Sequence, residues 1–348
     1  MSKRLRDLLT PLIAVILGIV VGTIIMLVSG YNPVAAYAAL WNGAFGDVYY
    51  TGEVIRQVTP YILAGLAVAF AFRVGLFNIG VEGQFIVGWL AAVWVGIAFD
   101  LPKVIHLPLA ILAAMVAGGL WAFVPGLLKA RFRVHEVIVT IMMNYIALHT
   151  VNYIINNKLN TGSSKTAMIR ESASLRSEWM QTFTTHSTMH WGIIVAIIAC
   201  FVMWFLLEKT TRGFELRAVG FNQDAAHYAG MSVNQNIILS MVISGCFAGI
   251  AGAMEGLGTF GYMAVQGGFS GVGFTGIAVA LLGGNTALGV FFAAALFGSL
   301  KIGALSMPLE AGVPKELVDI IIALIVFFVA SSYIIRIVLD RFSKKEVK

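Results

Sequence analysis

Between two strongly apolar stretches the chain reads Phe77-Asn78-Ile79-Gly80-Val81-Glu82-Gly83-Gln84. Two amides, one carboxyl group and two glycines fall within eight residues. A carboxylate at the centre of a lipid-exposed helix costs roughly 2.5–3.5 kcal/mol or more. Glu82 must therefore face protein, water or a membrane interface. Two readings fit. In one, a helix is broken here and lines a path, with Asn78, Glu82 and Gln84 offering hydrogen bonds and Phe77 a ring face. In the other, the stretch is a turn after Arg73 and Glu82 opens the next helix, where the helix dipole favours a carboxylate.

A second candidate is Gly220-Phe221-Asn222-Gln223-Asp224-Ala225-Ala226-His227-Tyr228-Ala229-Gly230-Met231. Asn222 is a good N-cap, Ala225, Ala226 and Ala229 favour helix, and Gly230 suits a C-terminal stop. A short helix of about two turns is expected. Its small alanines admit another surface closely, or it simply ties two spans together.

The third candidate is Gly267-Gly268-Phe269-Ser270-Gly271-Val272-Gly273-Phe274-Thr275-Gly276, followed by Gly283-Gly284-Asn285. Small residues at this density let helices pack tightly or break, so the stretch serves either packing or a gate. It is not a phosphate loop, because Gly-x-x-x-x-Gly-Lys-Ser/Thr occurs nowhere in the chain. Asn144, one turn from Thr140, suits an interhelical hydrogen bond or a substrate contact. Glu255 is expected at an interface. His186 and His190 lack a third ligand, so no metal site is expected. There is no nucleophile elbow and no His-Glu-x-x-His, and no catalytic residue is assigned.

These residues are carried by a chain of 348 residues, 59% hydrophobic and 11% charged. An average soluble protein is roughly 45–50% apolar and about 25% charged. A soluble globule with so little charge could not cover its surface, which excludes an ordinary cytosolic enzyme, a disordered scaffold and a secreted disulfide protein. The net charge of +6 does not require nucleic acid, because basic residues gather in the cytoplasmic loops of membrane proteins. Cys200 and Cys246, the two cysteines, both lie in apolar stretches.

Apolar runs of near-spanning length fall at 11–29, 57–72, 75–99, 107–128, 137–155, 191–207, 237–257, 269–283, 286–304 and 317–335. The first is too long for a signal-peptide core and reads as an uncleaved span. The runs at 57–72 and 269–283 are short for a span and are expected to be tilted, broken or re-entrant. Ten spans place both termini on one side. That side carries 15 of the 23 Lys and Arg residues, so it is expected to be cytoplasmic. The fold expected is all-α, a polytopic bundle of about ten transmembrane helices forming one domain over 1–348. Loop 156–190 is extracytoplasmic, with one short helix near Ser172–Phe183, and loop 208–236 is cytoplasmic. Ten divides as five plus five, the arithmetic of an inverted repeat, for which Gly75–Gly83 and Gly267–Gly284 are loose counterparts.

With these residues in view, the sequence resembles permease subunits of bacterial ATP-binding-cassette importers for ribose-type sugars, branched-chain amino acids and nucleosides. The resemblance covers nearly the whole chain. Phe77–Gln84, Glu136–Tyr145 and Arg217–Gly220 leading into Asn222 and Ala225-Ala226 look like the nucleoside branch. The resemblance implies a type II importer fold in the bacterial cell membrane, with both termini cytoplasmic. It implies that the short helix is a coupling helix, with Gly220, Asn222, Asp224, Ala225, Ala226, Ala229, Gly230 and Met231 serving an ATPase. It implies no ATP site and no cofactor in this chain, with ATP and Mg held by partner ATPase subunits. A second, non-identical permease and an extracytoplasmic binding (lipo)protein complete the assembly. The cargo expected is a small neutral nucleoside, carried past Phe77, Asn78, Glu82, Gln84 and Asn144. The alternatives are a sugar or branched-chain amino acid as cargo, or an ion-coupled secondary transporter.

Overall fold

The computed structural model describes residues 3–159 and 161–331. Among them there is no strand, only an isolated bridge between Lys165 and Ala264. Fifteen α-helices are described. The long ones are α1 (Lys3–Val28), α3 (Val48–Arg73), α4 (Val81–Ala98), α5 (Lys103–Phe132), α6 (Glu136–Ile154), α8 (Gly192–Lys209), α11 (Val233–Met254), α13 (Ala287–Gly303) and α15 (Glu316–Ala330). The shorter ones are α2 (Pro33–Phe45), α7 (Glu178–Phe183), α9 (Thr211–Phe221), α10 (Gln223–Tyr228), α12 (Val272–Leu282) and α14 (Met307–Glu310). Among the described residues seven helices are long and apolar enough to cross a membrane, with α12 and α13 as shorter apolar helices. The protein is a multi-pass membrane protein.

Composition decides which helices are inside. In α3 the run from Val58 to Ala71 is buried at every position, and small residues such as Ala64, Gly65 and Ala67 let neighbours approach. Helices α4, α5 and α11 close on one another through glycines. A Cβ on Gly88 would meet the backbone of Gly249, and one on Gly118 would meet Gly245 and Gly249. Without a hydrophobic driving force between helices in lipid, such close contact is what holds them together. In contrast, α8 turns Ile194, Ile197, Ile198, Phe201 and Phe205 outward. Helix α1 packs chiefly on α15, where Gly18 and Gly22 face Ile325 and Ile321.

The run at 57–72 is unbroken. It is the inner part of α3, a 26-residue helix whose polar first turns precede it. The run at 269–283 is short, because α12 has eleven residues, about 16 Å of helix, or roughly half a hydrocarbon core. Helix α2 went unread in the sequence although its signals are present: the Asn32 side chain accepts from the Val34 and Ala35 amides, and Pro33 stands at the first turn. Loop 156–190 holds a 3₁₀ turn at Glu171–Ala173 and then α7, rather than one helix. The basic tail beyond residue 331 lies outside the described residues.

Candidate functional site

Two irregular segments, 74–80 and 261–271, lead into α4 and α12. The N-termini of these helices meet inside the bundle, and Glu82 joins them. It stands in the first turn of α4 and is 0% exposed. Its carboxylate accepts from the Ser270 hydroxyl at 2.7 Å, the Gly271 amide at 2.8 Å and the Gly273 amide at 2.6 Å. Gly271 and Gly273 open α12, so one carboxylate lies at the positive ends of two helices. Gly271 has φ +82, a left-handed conformation open to glycine. A Cβ at Gly273 would collide with the Glu82 backbone.

Around this joint the other polar side chains hold the turn before α4. Asn78 and Gln84 exchange two hydrogen bonds, at 2.9 and 3.1 Å. Asn78 also donates to Ser244 at 2.8 Å and accepts from the Gly80 amide at 3.0 Å. Ser244 in turn donates to the Ala67 carbonyl. Asn144 donates to the Ile79 carbonyl at 3.0 Å and accepts from the Gly83 amide at 2.8 Å. Asn144 is thus an interhelical hydrogen-bonding residue. Asn78, Gln84 and Asn144 are all buried. Phe77 stacks on Phe72 with centroids 4.9 Å apart. The structure therefore brings Asn78, Glu82, Gln84 and Asn144 into one cluster, with their polar atoms bonded to protein.

Next to Ser270 lies an accessible aromatic patch that sequence reasoning left unassigned. Phe269 meets Tyr145 edge-on at 5.0 Å and Phe274 edge-on at 5.8 Å. Tyr145 is 49% and Phe274 40% exposed. Asn152 pins the same segment through both backbone groups of Gln266. The patch sits on a face of α6 that also exposes Ile138, Met142 and Tyr153. The glycine-rich break at 267–276 was the available signal, but no spacing rule links it to Tyr145.

At the Arg73 end of the bundle, α10 is the short helix expected from the sequence. The Asn222 side chain caps it by accepting from Ala225 at 2.9 Å, and Gly230 at φ +81 ends it. Gly220, Asn222, Asp224, Ala225, Ala229 and Gly230 are at the surface or partly exposed, and Met231 is half-buried. Ala226 is different. It is buried against Ala71, Leu76, Val219 and Ile237. The outward apolar groups are Phe221 and Tyr228, 95% and 92% exposed. Glu208 pairs with both Arg73 and Arg217, tying the end of α3 to α9. Gly75 and Gly220 touch backbone to backbone.

At the opposite end, loop 156–190 is strapped to the bundle. Arg176 donates to the carbonyls of Gly258 and Thr259, and Glu53 accepts from the amide and hydroxyl of Thr188. His190 is buried beside them, and burial together with Arg56 and Arg176 pushes it down to about 3. Glu255 is buried in a π-helical turn, accepting from Thr259 at 2.8 Å.

The model of the branched-chain amino acid transport system / permease component family matches residues 50–330. The chain is 68% identical to the guanosine ABC transporter permease protein NupP of Bacillus subtilis, over 99% of each chain. It is 41% identical to the nucleoside ABC transporter permease protein NupB of Lactococcus lactis, over 98% of this chain and 95% of that one. A second B. subtilis guanosine ABC transporter permease protein, NupQ, is 30% identical over 74% of this chain and 82% of its own. A bundle of apolar helices with this match along its length belongs to the permease-component family of branched-chain amino acid-type ABC transport systems.

Proposed function

We propose that the chain is the permease subunit of an ATP-driven importer that carries nucleosides, guanosine among them, into the cytoplasm. The single observation that carries this is the 68% identity to a guanosine permease along the full length. In this reading the ten apolar helices α1, α3, α4, α5, α6, α8, α11, α12, α13 and α15 form the membrane domain. The Arg73 end is cytoplasmic, as are both termini, and loop 156–190 is extracytoplasmic. An inverted repeat is supported by the packing: α3 lies against α12 and α13 as α11 lies against α4 and α5. The paired helix N-termini at Glu82 fit the same relation.

Loop 208–236 carries the coupling helix. Phe221 and Tyr228 project from it, together with Asn222, Asp224, Ala225 and Ala229, towards an ATPase subunit that binds ATP and Mg. Gly220, Ala226, Gly230 and Met231 set the helix against the bundle. A second permease, different in sequence, covers the exposed face of α6. Two different B. subtilis chains named as guanosine permeases support a mixed pair. A binding protein delivers cargo on the side of loop 156–190. The cargo passes along Tyr145, Phe269, Ser270 and Phe274, where rings stack on the base and polar groups meet the sugar. Phe77, Asn78, Glu82, Gln84 and Asn144 line its inner end once the N-termini of α4 and α12 part.

The test is uptake of labelled guanosine by the complete importer in proteoliposomes, with unlabelled competitors. Guanosine and adenosine are expected to compete at least tenfold better than ribose or leucine. Equal competition by ribose or leucine would reassign the cargo to the sugar or amino-acid branch.

A further inference from the structure

Four helix ends converge at the Arg73 side of the bundle: those of α3 and α8, the end of α12 and the start of α13. Between them is a cavity of about 440 Å³. Its wall is chemically divided. Trp204 and Leu288, 43% and 70% exposed, continue the outward apolar faces of α8 and α13. Lys209 and Arg73 supply positive charge at the end where these helices stop. The Lys209 ammonium lies 5.4 Å above the Trp204 ring, and no carboxylate partners it among the described residues. Arg73 is neutralised in part by Glu208. The first turn of α13, capped by the Thr286 side chain, adds the positive end of a 17-residue helix.

The lining limits what fits. The occupant must combine an anion for Lys209 and the helix end with an apolar tail for the strip along Trp204 and Leu288, which a bare phosphate lacks. Basic pockets between transmembrane helices are where acidic lipid headgroups bind, and tryptophan favours the headgroup level.

We propose that this cavity binds an anionic phospholipid. The phosphate lies between Lys209 and the start of α13, and the acyl chains run over α8 and α13. Because Glu208 in the cavity wall pairs with Arg217, the lipid braces the joint between α8 and α9.

The test is native mass spectrometry of the assembled importer in mild detergent, titrated with phosphatidylglycerol, phosphatidic acid and phosphatidylcholine. Phosphatidylglycerol is expected to be retained at least tenfold more tightly than phosphatidylcholine. Lys209→Gln should remove about tenfold of that affinity. As a reading independent of variant stability, phosphatidylglycerol with brominated chains should quench a component of tryptophan fluorescence that Trp204→Phe lacks. Equal retention of all three lipids, no effect of Lys209→Gln, or displacement by millimolar inorganic phosphate would overturn the proposal.

Discussion

Replacing Glu82 by Ala is expected to lower ATP-driven uptake more than tenfold and to destabilise the permease by about 2–4 kcal/mol, since removing an acceptor strands each buried donor at roughly 1–3 kcal/mol. Three donors face its carboxylate, and the Gly273 amide is fully enclosed. Water can reach Ser270 at the surface, which keeps the total below three full penalties. Glu82→Gln retains one acceptor oxygen but turns an amide NH₂ towards a donor, so about half the loss is expected. Thermal unfolding of the purified complex and vesicle uptake read the two effects separately. If Glu82→Ala melted like the parent and transported normally, the joint between α4 and α12 would have no structural role. A Ser270→Ala change should be mild, because it removes only the one donor that solvent can satisfy.

The second large effect is expected at the Arg73 end of the bundle. Phe221→Ala with Tyr228→Ala should weaken capture of the ATPase by at least about 30-fold while leaving the permease folded, since exposed aromatic anchors dominate such interfaces and hot-spot truncations cost 2 kcal/mol or more. Both rings stand almost wholly free of the chain. Pull-down of the ATPase with the tagged permease is the measurement, with permease melting as control. Ala226→Arg is the wrong probe of docking, because Ala226 is packed against Ala71 and Leu76. It is expected to lower permease stability itself. Retention of the ATPase at parental affinity by the double alanine variant would contradict the assignment of α10 as the coupling helix.

The apolar runs and the capped helix at Asn222 were legible because their signals are local. Length, hydropathy and a cap followed by alanines and glycine suffice to mark them. Facing is a different matter. In a helix of six residues such as α10, nothing in the composition distinguishes Ala225, at the surface, from Ala226, in the core. The glycine-rich segments were visible as breaks, but their meeting was not. Glu82 and Gly271 are 189 residues apart, and either could have been satisfied by water at an interface. Glu255 shows the same limit. A carboxyl near the end of an apolar run resembles an interfacial one, and its burial beside Thr259 appears only in the fold. Helix α2 was missed although Asn32 and Pro33 announce it, because its 13 residues fall short of a span.

The measurement closest to the central claim is labelled guanosine uptake by proteoliposomes holding the permease pair, ATPase and binding protein, with ATP and Mg on the ATPase side and an uncoupler present. The account predicts uptake that requires ATP hydrolysis, requires the binding protein, and persists when ion gradients are collapsed. Uptake that continues without ATP and stops with the uncoupler would contradict it and make the chain an ion-coupled carrier.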